Sequence, residues 1–233
     1  MTATVIPVPA PSCLPVRGSQ AVFPVRRIYC VGRNFAEHAR EMGAAVDRGN
    51  PVFFMKPADA LVPGGGRVPY PSGTRDLHHE VELVVALGRD ADGEVAVADA
   101  MDLVFGYGVG LDLTRRDLQA AAKAKGLPWD TGKGFDHSAP ISELVPASGV
   151  TALDTRSLSL QVNGETRQHG ELRDLIWDVP DILHELSKLF ALKAGDLVFM
   201  GTPAGVGPVV AGDAFVATLD GVAELRGRIV ANH

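Results

Sequence analysis

The stretch HHEVELVVALG, residues 78–88, reads as a buried β-strand, yet it sets Glu80 and Glu82 two positions apart among Val, Leu and Val. Side chains two apart on a strand point to the same face. The two carboxylates then stand side by side. Ionised carboxylates that close repel each other, and burial makes this worse. Either something positive sits between them or they face water. The next residues on that face are Val84 and Ala86, so it turns apolar at once, which weighs against a half-exposed strand with a polar side.

A third acid adds context. In GYGVGLDLT (106–114), Asp112 shares a strand face with Gly108 and Gly110, and glycines there clear space above a sheet. Three hard oxygen ligands, two at i and i+2 and one from another strand, suit Mg²⁺ or Mn²⁺ with water or substrate filling the remaining positions.

Around these strands the chain is rich in hairpin signals. FPVRRIYCVG (23–32) and PVFFMKP (51–57) read as strands. Between them NFAEHAREMG (34–43) reads as a short helix with Asn34 as N-cap and Gly43 as its end. PGGGRVPYPSG (63–73) reads as a loop, and RRDLQAAAKAKG (115–126) as a helix ended by Gly126. Asn163-Gly164 and Asp220-Gly221 mark two hairpins, and VPDILHELSKLF (179–190) is an amphipathic helix. Strands outnumber helices and no regular βαβ alternation appears, so an α+β fold on a curved sheet or barrel is expected.

Composition narrows the partners. The chain has 233 residues, 46% of them hydrophobic, enough for one domain with its own core. Twenty-two basic against 28 acidic residues give a net charge of −6 without a basic stripe, so no nucleic acid partner is expected. Cys13 and Cys30 form no metal or redox motif, which fits a reduced, cytoplasmic protein. Residues 1–22 read as an extended, Pro-rich lead-in and not as a signal peptide. No apolar run approaches the ~18 residues of a membrane span.

Other residues offer chemistry. His38 and Glu41 lie three apart and share a helix face. They are either an ordinary surface pair or a histidine held by a carboxylate, the arrangement that activates a water. Lys133 lies between Gly132 and Gly134, as a solvated loop lysine or where glycines let the backbone approach a ligand. Arg115, Arg116 and Gln119 open the helix after Asp112 and can point back at an anion. GTPAGVGP (201–208) lacks the Gly-Lys-Ser/Thr of a phosphate loop, GYGVGL has Leu111 where a dinucleotide fingerprint needs a third glycine, and HEL (184–186) lacks a second histidine.

Taken together, YCVGRNFAEHAREMG, FFMKPADALV, LHHEVELVVALG, GYGVGLDLTRRDLQ, GLPWDTGKGFDHSAPIS, VNGETRQHG and VFMGTPAGVGPV resemble the fumarylacetoacetate hydrolase superfamily, in that family's order and over nearly the whole chain from about residue 23. The likeness is greatest to its short, single-domain branch of acylpyruvases and fumarylpyruvate hydrolases, and FPVRRIYCVGRNFAEHAREMG in particular is similar to the fumarylpyruvate hydrolases of gentisate breakdown. It implies a mixed β-roll or barrel with short helices and a helical lid, spanning residues 23–233, with a divalent metal, Mg²⁺ or Mn²⁺, at its mouth, and a homodimer. Carried over residue by residue, Glu80, Glu82 and Asp112 are the metal ligands and His38 with Glu41 the dyad that activates water. Lys133 lies beside the metal, and Arg116, Gln119 and Thr202 contact substrate. Arg33 is, with Arg115 and Arg116, a cation for a distal carboxylate. Phe35 and Met200 depart from the usual Tyr and Thr without touching a proposed ligand. The implied reaction is hydrolysis of a carbon–carbon bond in a 2,4-dioxo acid, fumarylpyruvate giving fumarate and pyruvate. The alternatives are an oxaloacetate decarboxylase or a dienoate isomerase of the same superfamily and, outside it, a metal-stabilised binding protein without catalysis.

Overall fold

The computed structural model describes residues 3–41 and 48–232, and only the backbone of residues 38 and 39. Two curled sheets dominate. The larger runs, in spatial order, Val52–Lys56, Arg27–Gly32, Asp196–Phe199, Val81–Leu87, Val104–Leu111, Ala139–Ile141 and Leu61–Pro63, with Val145–Pro146 also paired onto Val104–Leu111. The second is Glu165–Glu171, Ser157–Val162, Ala214–Leu219, Ala223–Val230 and Gly65–Pro69. Both are mixed. Asp196–Phe199 runs parallel to Arg27–Gly32, Gly65–Pro69 runs parallel to Ala223–Val230, and most other pairs are antiparallel. The class is α+β, as the hairpin-rich pattern implies.

The strand Val81–Leu87 is buried at every position because it has a core on each face. Val81, Leu83, Val85 and Leu87 join Leu158, Leu160, Phe215 and Leu225 of the second sheet in one cluster. Val84 and Ala86 join Ile28, Cys30, Leu197 and Phe199 in another. The hairpin Cys13–Pro15/Val22–Pro24 adds Leu14 and Phe23 to that second core. Part of the stretch read as a lead-in thus takes part in the fold, and the hairpin straddles residue 22.

Several local readings change. The run 78–88 is two strands. Leu77–His79 pairs with Thr114–Arg115 and Gly207–Pro208 in a small third sheet, while Val81–Leu87 pairs with Val104–Leu111 and Asp196–Phe199. Glu80 occupies the break between them. The stretch 63–73 is not all loop, since it contains the strand Gly65–Pro69. Its partner lies at the far end of the chain, Arg226–Val230, a pairing that local signals do not carry. Asn34 is not an N-cap. Its side chain joins segments instead: Nδ2 donates to the carbonyls of Trp177 (2.9 Å) and Met200 (2.8 Å), and Oδ1 accepts from Trp177 N–H (2.8 Å). The helix it precedes, Ala36–Glu41, is anchored by those bonds, and Gly43, read as its end, lies outside the described residues. Asn163 and Gly164, with φ of 52° and 84°, make the tight left-handed turn that their sequence implies.

The glycines of Val104–Leu111, which face Glu82 and Ala86 across the sheet at Gly110 and Gly106, serve packing. A Cβ on Gly110 would lie 2.8 Å from the Phe199 ring, and one on Gly106 2.3 Å from the Val145 carbonyl. The space they clear is filled by protein and not left for a ligand.

Candidate functional site

Glu82 opens the strand face that continues as Val84 and Ala86, directly across from Gly110. Glu80 reaches the same point from the break between strands. Asp112 stands one residue beyond Val104–Leu111, where its N–H donates to the Glu80 carbonyl (2.9 Å). Carboxylate oxygens of the three lie within 4.8 Å of one another, and all three residues are buried. Among the described residues this is the one such group of potential metal ligands. Three hard anionic oxygens converging at a buried point fit a hard divalent cation with open coordination positions.

Two lysines are built into the cluster. Lys133 Nζ donates to Glu80 Oε2 (2.7 Å) and Asp112 Oδ2 (2.5 Å). Lys56 Nζ lies 2.8 Å from Asp112 Oδ1, off the angle of a hydrogen bond, and donates to the carbonyls of Leu113 (3.1 Å) and Lys133. Arg116 Nη2 meets Glu80 Oε1 at 2.5 Å, and its Nη1 donates to Gln119 Oε1 at 2.5 Å. Glu82 Oε2 accepts from the Gly201 N–H (2.6 Å). Burial of Glu80, Asp112 and the two lysines is tolerated because each is ion-paired, whereas Glu82 has the Gly201 N–H alone as a partner among the described residues.

The charges shape one another. Burial first, then Asp112 and Glu80, push the Glu82 carboxyl well above the usual carboxylate range, against the pull of Lys133 and the Gly201 N–H. Burial acts to lower the Lys133 ammonium, but Asp112 and Glu80 outweigh it and raise the group above an ordinary lysine. Lys133 is therefore a fixed cation, not a base.

Local structure explains these placements. Lys133 ends the short helix Asp130–Lys133, which packs on the helix Arg116–Ala124 at Gly132. A Cβ there would lie 3.0 Å from the Gln119 backbone and side chain. The glycine beside Lys133 thus serves helix packing, not approach of a ligand. Arg115 does not point into the site, since its guanidinium stacks 4.4 Å from the Phe135 ring centroid. Thr202 is held by Gln168, whose Nε2 donates to its Oγ1 (2.7 Å) and to the Pro203 carbonyl (2.9 Å). Gln168 Oε1 accepts from Val81 N–H (3.0 Å) and lies 2.9 Å from His79 Nδ1, so that nitrogen carries the proton.

Arg33, Glu80, Glu82, Asp112, Arg116, Gln119, Lys133 and Thr202 all line one cleft, with Phe54 and Trp129 as an apolar wall. Glu41 stands apart, on the helix above the glycine-rich loop, with both oxygens facing the Gly205 N–H at 3.2 and 3.3 Å. The His38 side chain lies outside the described residues. Sequence reasoning missed Lys56, Gln168 and Lys123. Only Lys56 carries a signal, as a charge ending the apolar run VFFMK.

Cation binding needs Glu82 ionised, so it must expel the proton that burial favours. Metal affinity should therefore go on rising with pH above the ordinary carboxylate range. The sign for folding is opposite. A carboxyl raised by folding contributes stability below the ordinary carboxylate range and loses it as pH rises through the folded value. Metal-free protein should thus lose stability as pH rises above the ordinary carboxylate range, and Mn²⁺ should restore it. Calorimetric titration with Mn²⁺ and thermal unfolding check both, and Glu82→Gln should weaken binding and flatten its pH dependence. Equal affinity in the Gln variant would remove Glu82 from the ligand set.

Residues 27–230 match the family model for the fumarylacetoacetate (FAA) hydrolase C-terminal region. The crystal structure of a fumarylpyruvate hydrolase from Pseudomonas aeruginosa, in complex with Mn²⁺ and pyruvate, superposes with a TM-score of 0.94 at 47% identity, covering 99% of this chain and 100% of that one. The mitochondrial oxaloacetate tautomerase FAHD1 of Arabidopsis thaliana is 44% identical over 200 residues, 86% of this chain and 89% of its own. A fumarylpyruvate hydrolase of Ralstonia is 43% identical over 186 residues, 79% of this chain and 96% of its own.

Proposed function

The chain belongs to the fumarylacetoacetate hydrolase family, and on that premise we propose that it hydrolyses the C3–C4 bond of a 2,4-dioxo acid, fumarylpyruvate foremost, with Mg²⁺ or Mn²⁺ held by Glu80, Glu82 and Asp112. The observation that carries the reading is Lys133, a fixed buried cation in direct contact with two of the three carboxylates. The cation, when bound, holds the keto-acid end of the substrate and draws negative charge toward it. The remaining roles belong to side chains. Arg116, Gln119 and Thr202 position the substrate carboxylate and keto oxygens. His38, oriented by Glu41, takes a proton from water. The hydroxide adds to C4, the C3–C4 bond breaks, and its electron pair passes to the C2 oxygen as an enolate that Lys133 stabilises. Protonation at C3 completes pyruvate, and the acyl half leaves as fumarate.

A second reading has its own support, since a relative at 44% identity is named an oxaloacetate tautomerase. Keto–enol exchange of oxaloacetate uses the same enolate-stabilising groups and needs no water. The test is to add fumarylpyruvate and, separately, oxaloacetate to the Mg²⁺-loaded protein. Loss of diketo absorbance with fumarate and pyruvate formed in equal amounts supports hydrolysis. Oxaloacetate exchange without any cleavage of fumarylpyruvate gives the second reading. Among the described residues no helix is long and apolar enough to cross a membrane. A cytoplasmic homodimer is part of the proposal, the dimer to be tested by light scattering.

A further inference from the structure

Two cations at the cleft have no partner in the site. Lys123 lines it, half-buried, from the helix Arg116–Ala124. It is four residues beyond Gln119 and seven beyond Arg116, so all three share a helix face. Arg33 lines it too, at the turn after Arg27–Gly32, with a left-handed φ of 60° that a non-glycine residue adopts at a cost. Among the described residues neither side chain forms an ion pair or a hydrogen bond, whereas the Arg116 guanidinium contacts Glu80 and Gln119. Burial lowers the Lys123 ammonium, and the charges of Arg33, Arg116 and Lys133 lower it further, against a smaller opposing pull from Glu80. Like charges gathered at one mouth repel, and here an anion would relieve them.

Resting on the acylpyruvate reading above, we infer that Lys123, with Arg33, forms a second anion subsite that binds a carboxylate at the far end of the acyl group. The cleft lining supports this by count. Four cationic side chains, Arg33, Arg116, Lys123 and Lys133, face three carboxylates, and a divalent cation adds two more positive charges. A substrate with a carboxylate at each end matches that excess better than one with a single carboxylate. The placement also fits. Two helical turns, about 10 Å of rise, separate Lys123 from Arg116, comparable to the length of an extended seven-carbon dicarboxylate. Lys123 is therefore a specificity-determining residue: it selects acyl groups ending in a carboxylate over neutral ones.

The test compares fumarylpyruvate with acetylpyruvate, which has the same keto-acid end and a neutral methyl at the other. In Lys123→Met the ratio of their kcat/KM values should fall by ~10–100-fold, the range for a charge-assisted contact, through KM more than kcat. Lys123→Arg, which keeps the charge, should recover most of the ratio. Direct binding gives a second readout: by calorimetry fumarate should bind the Mg²⁺-loaded protein more weakly after Lys123→Met. An unchanged ratio with unchanged fumarate affinity overturns the subsite. If the unsubstituted protein cleaves neither acylpyruvate, the hydrolase reading fails, and fumarate binding alone then decides the subsite.

Discussion

Hydrolysis of an acylpyruvate by the His38→Ala protein should be ~10²–10⁴-fold slower, the usual worth of a general base, while any decarboxylation of oxaloacetate changes far less. The two reactions share the keto-acid end, the carboxylate cluster and Lys133. They differ in water: hydrolysis must deprotonate it, whereas decarboxylation forms the enolate as carbon dioxide leaves. His38 and Glu41 sit three apart on the helix Ala36–Glu41, whose six residues are too few to hold a helix alone. Asn34 ties its start to Trp177 and Met200, and the Gly205 N–H faces the Glu41 carboxylate. That contact fixes the Glu41 carboxylate, and the proposed dyad requires a carboxylate that orients the imidazole and stabilises the imidazolium. Glu82→Gln supplies the control, since it should damage both reactions. A misfolded variant would also lose both together, so selective loss of hydrolysis identifies the base. Intact hydrolysis in His38→Ala would take the dyad out of the mechanism.

What the sequence discloses about this site depends on how local the cause is. The convergence of Glu80, Glu82 and Asp112 is legible because like charges in apolar strands demand a cation, a conflict visible within a few residues. The tight Asn163-Gly164 turn and the end of the helix at Gly126 are legible for the same reason. The break at Glu80 is not, because it arises where the chain leaves one sheet for another, and both sets of partners are remote. The glycines of 106–110 show why a correct signal can be misread. They do mark a close approach, but of Phe199 and Val145, and sequence cannot say which group approaches. Lys56 and Gln168 act through residues at least 34 positions away, as in the Gln168 to Thr202 bond. Lys56 at least ends the apolar run VFFMK, but nothing in their neighbourhoods separates Gln168 from a hairpin glutamine or Lys123 from a solvated helix lysine.

Lys133→Met should separate holding the cation from using it. Turnover should fall ~10²–10³-fold, as when one donor to a developing oxyanion is removed, while Mn²⁺ binds at least as tightly as before. The reason lies in the contacts. Lys133 Nζ lies 2.7 Å from Glu80 and 2.5 Å from Asp112, so in the metal-free protein it neutralises two of the carboxylates a divalent cation would need. Methionine fills similar volume without charge. It leaves Glu80 to Arg116 and Asp112 to Lys56, with Glu82 still held up by burial and its neighbours. The metal-free variant should therefore lose ~3–5 kcal/mol of stability, the scale for removing one member of a buried ion pair. Saturating Mn²⁺ should return much of that, so thermal unfolding of the variant should depend more steeply on Mn²⁺ than that of the unsubstituted protein. If Mn²⁺ affinity falls in step with turnover, Lys133 is only a brace for the carboxylates. A large fall in turnover with the cation still tightly bound assigns the ammonium to the enolate oxygen, because that charge develops only as the C3–C4 bond breaks.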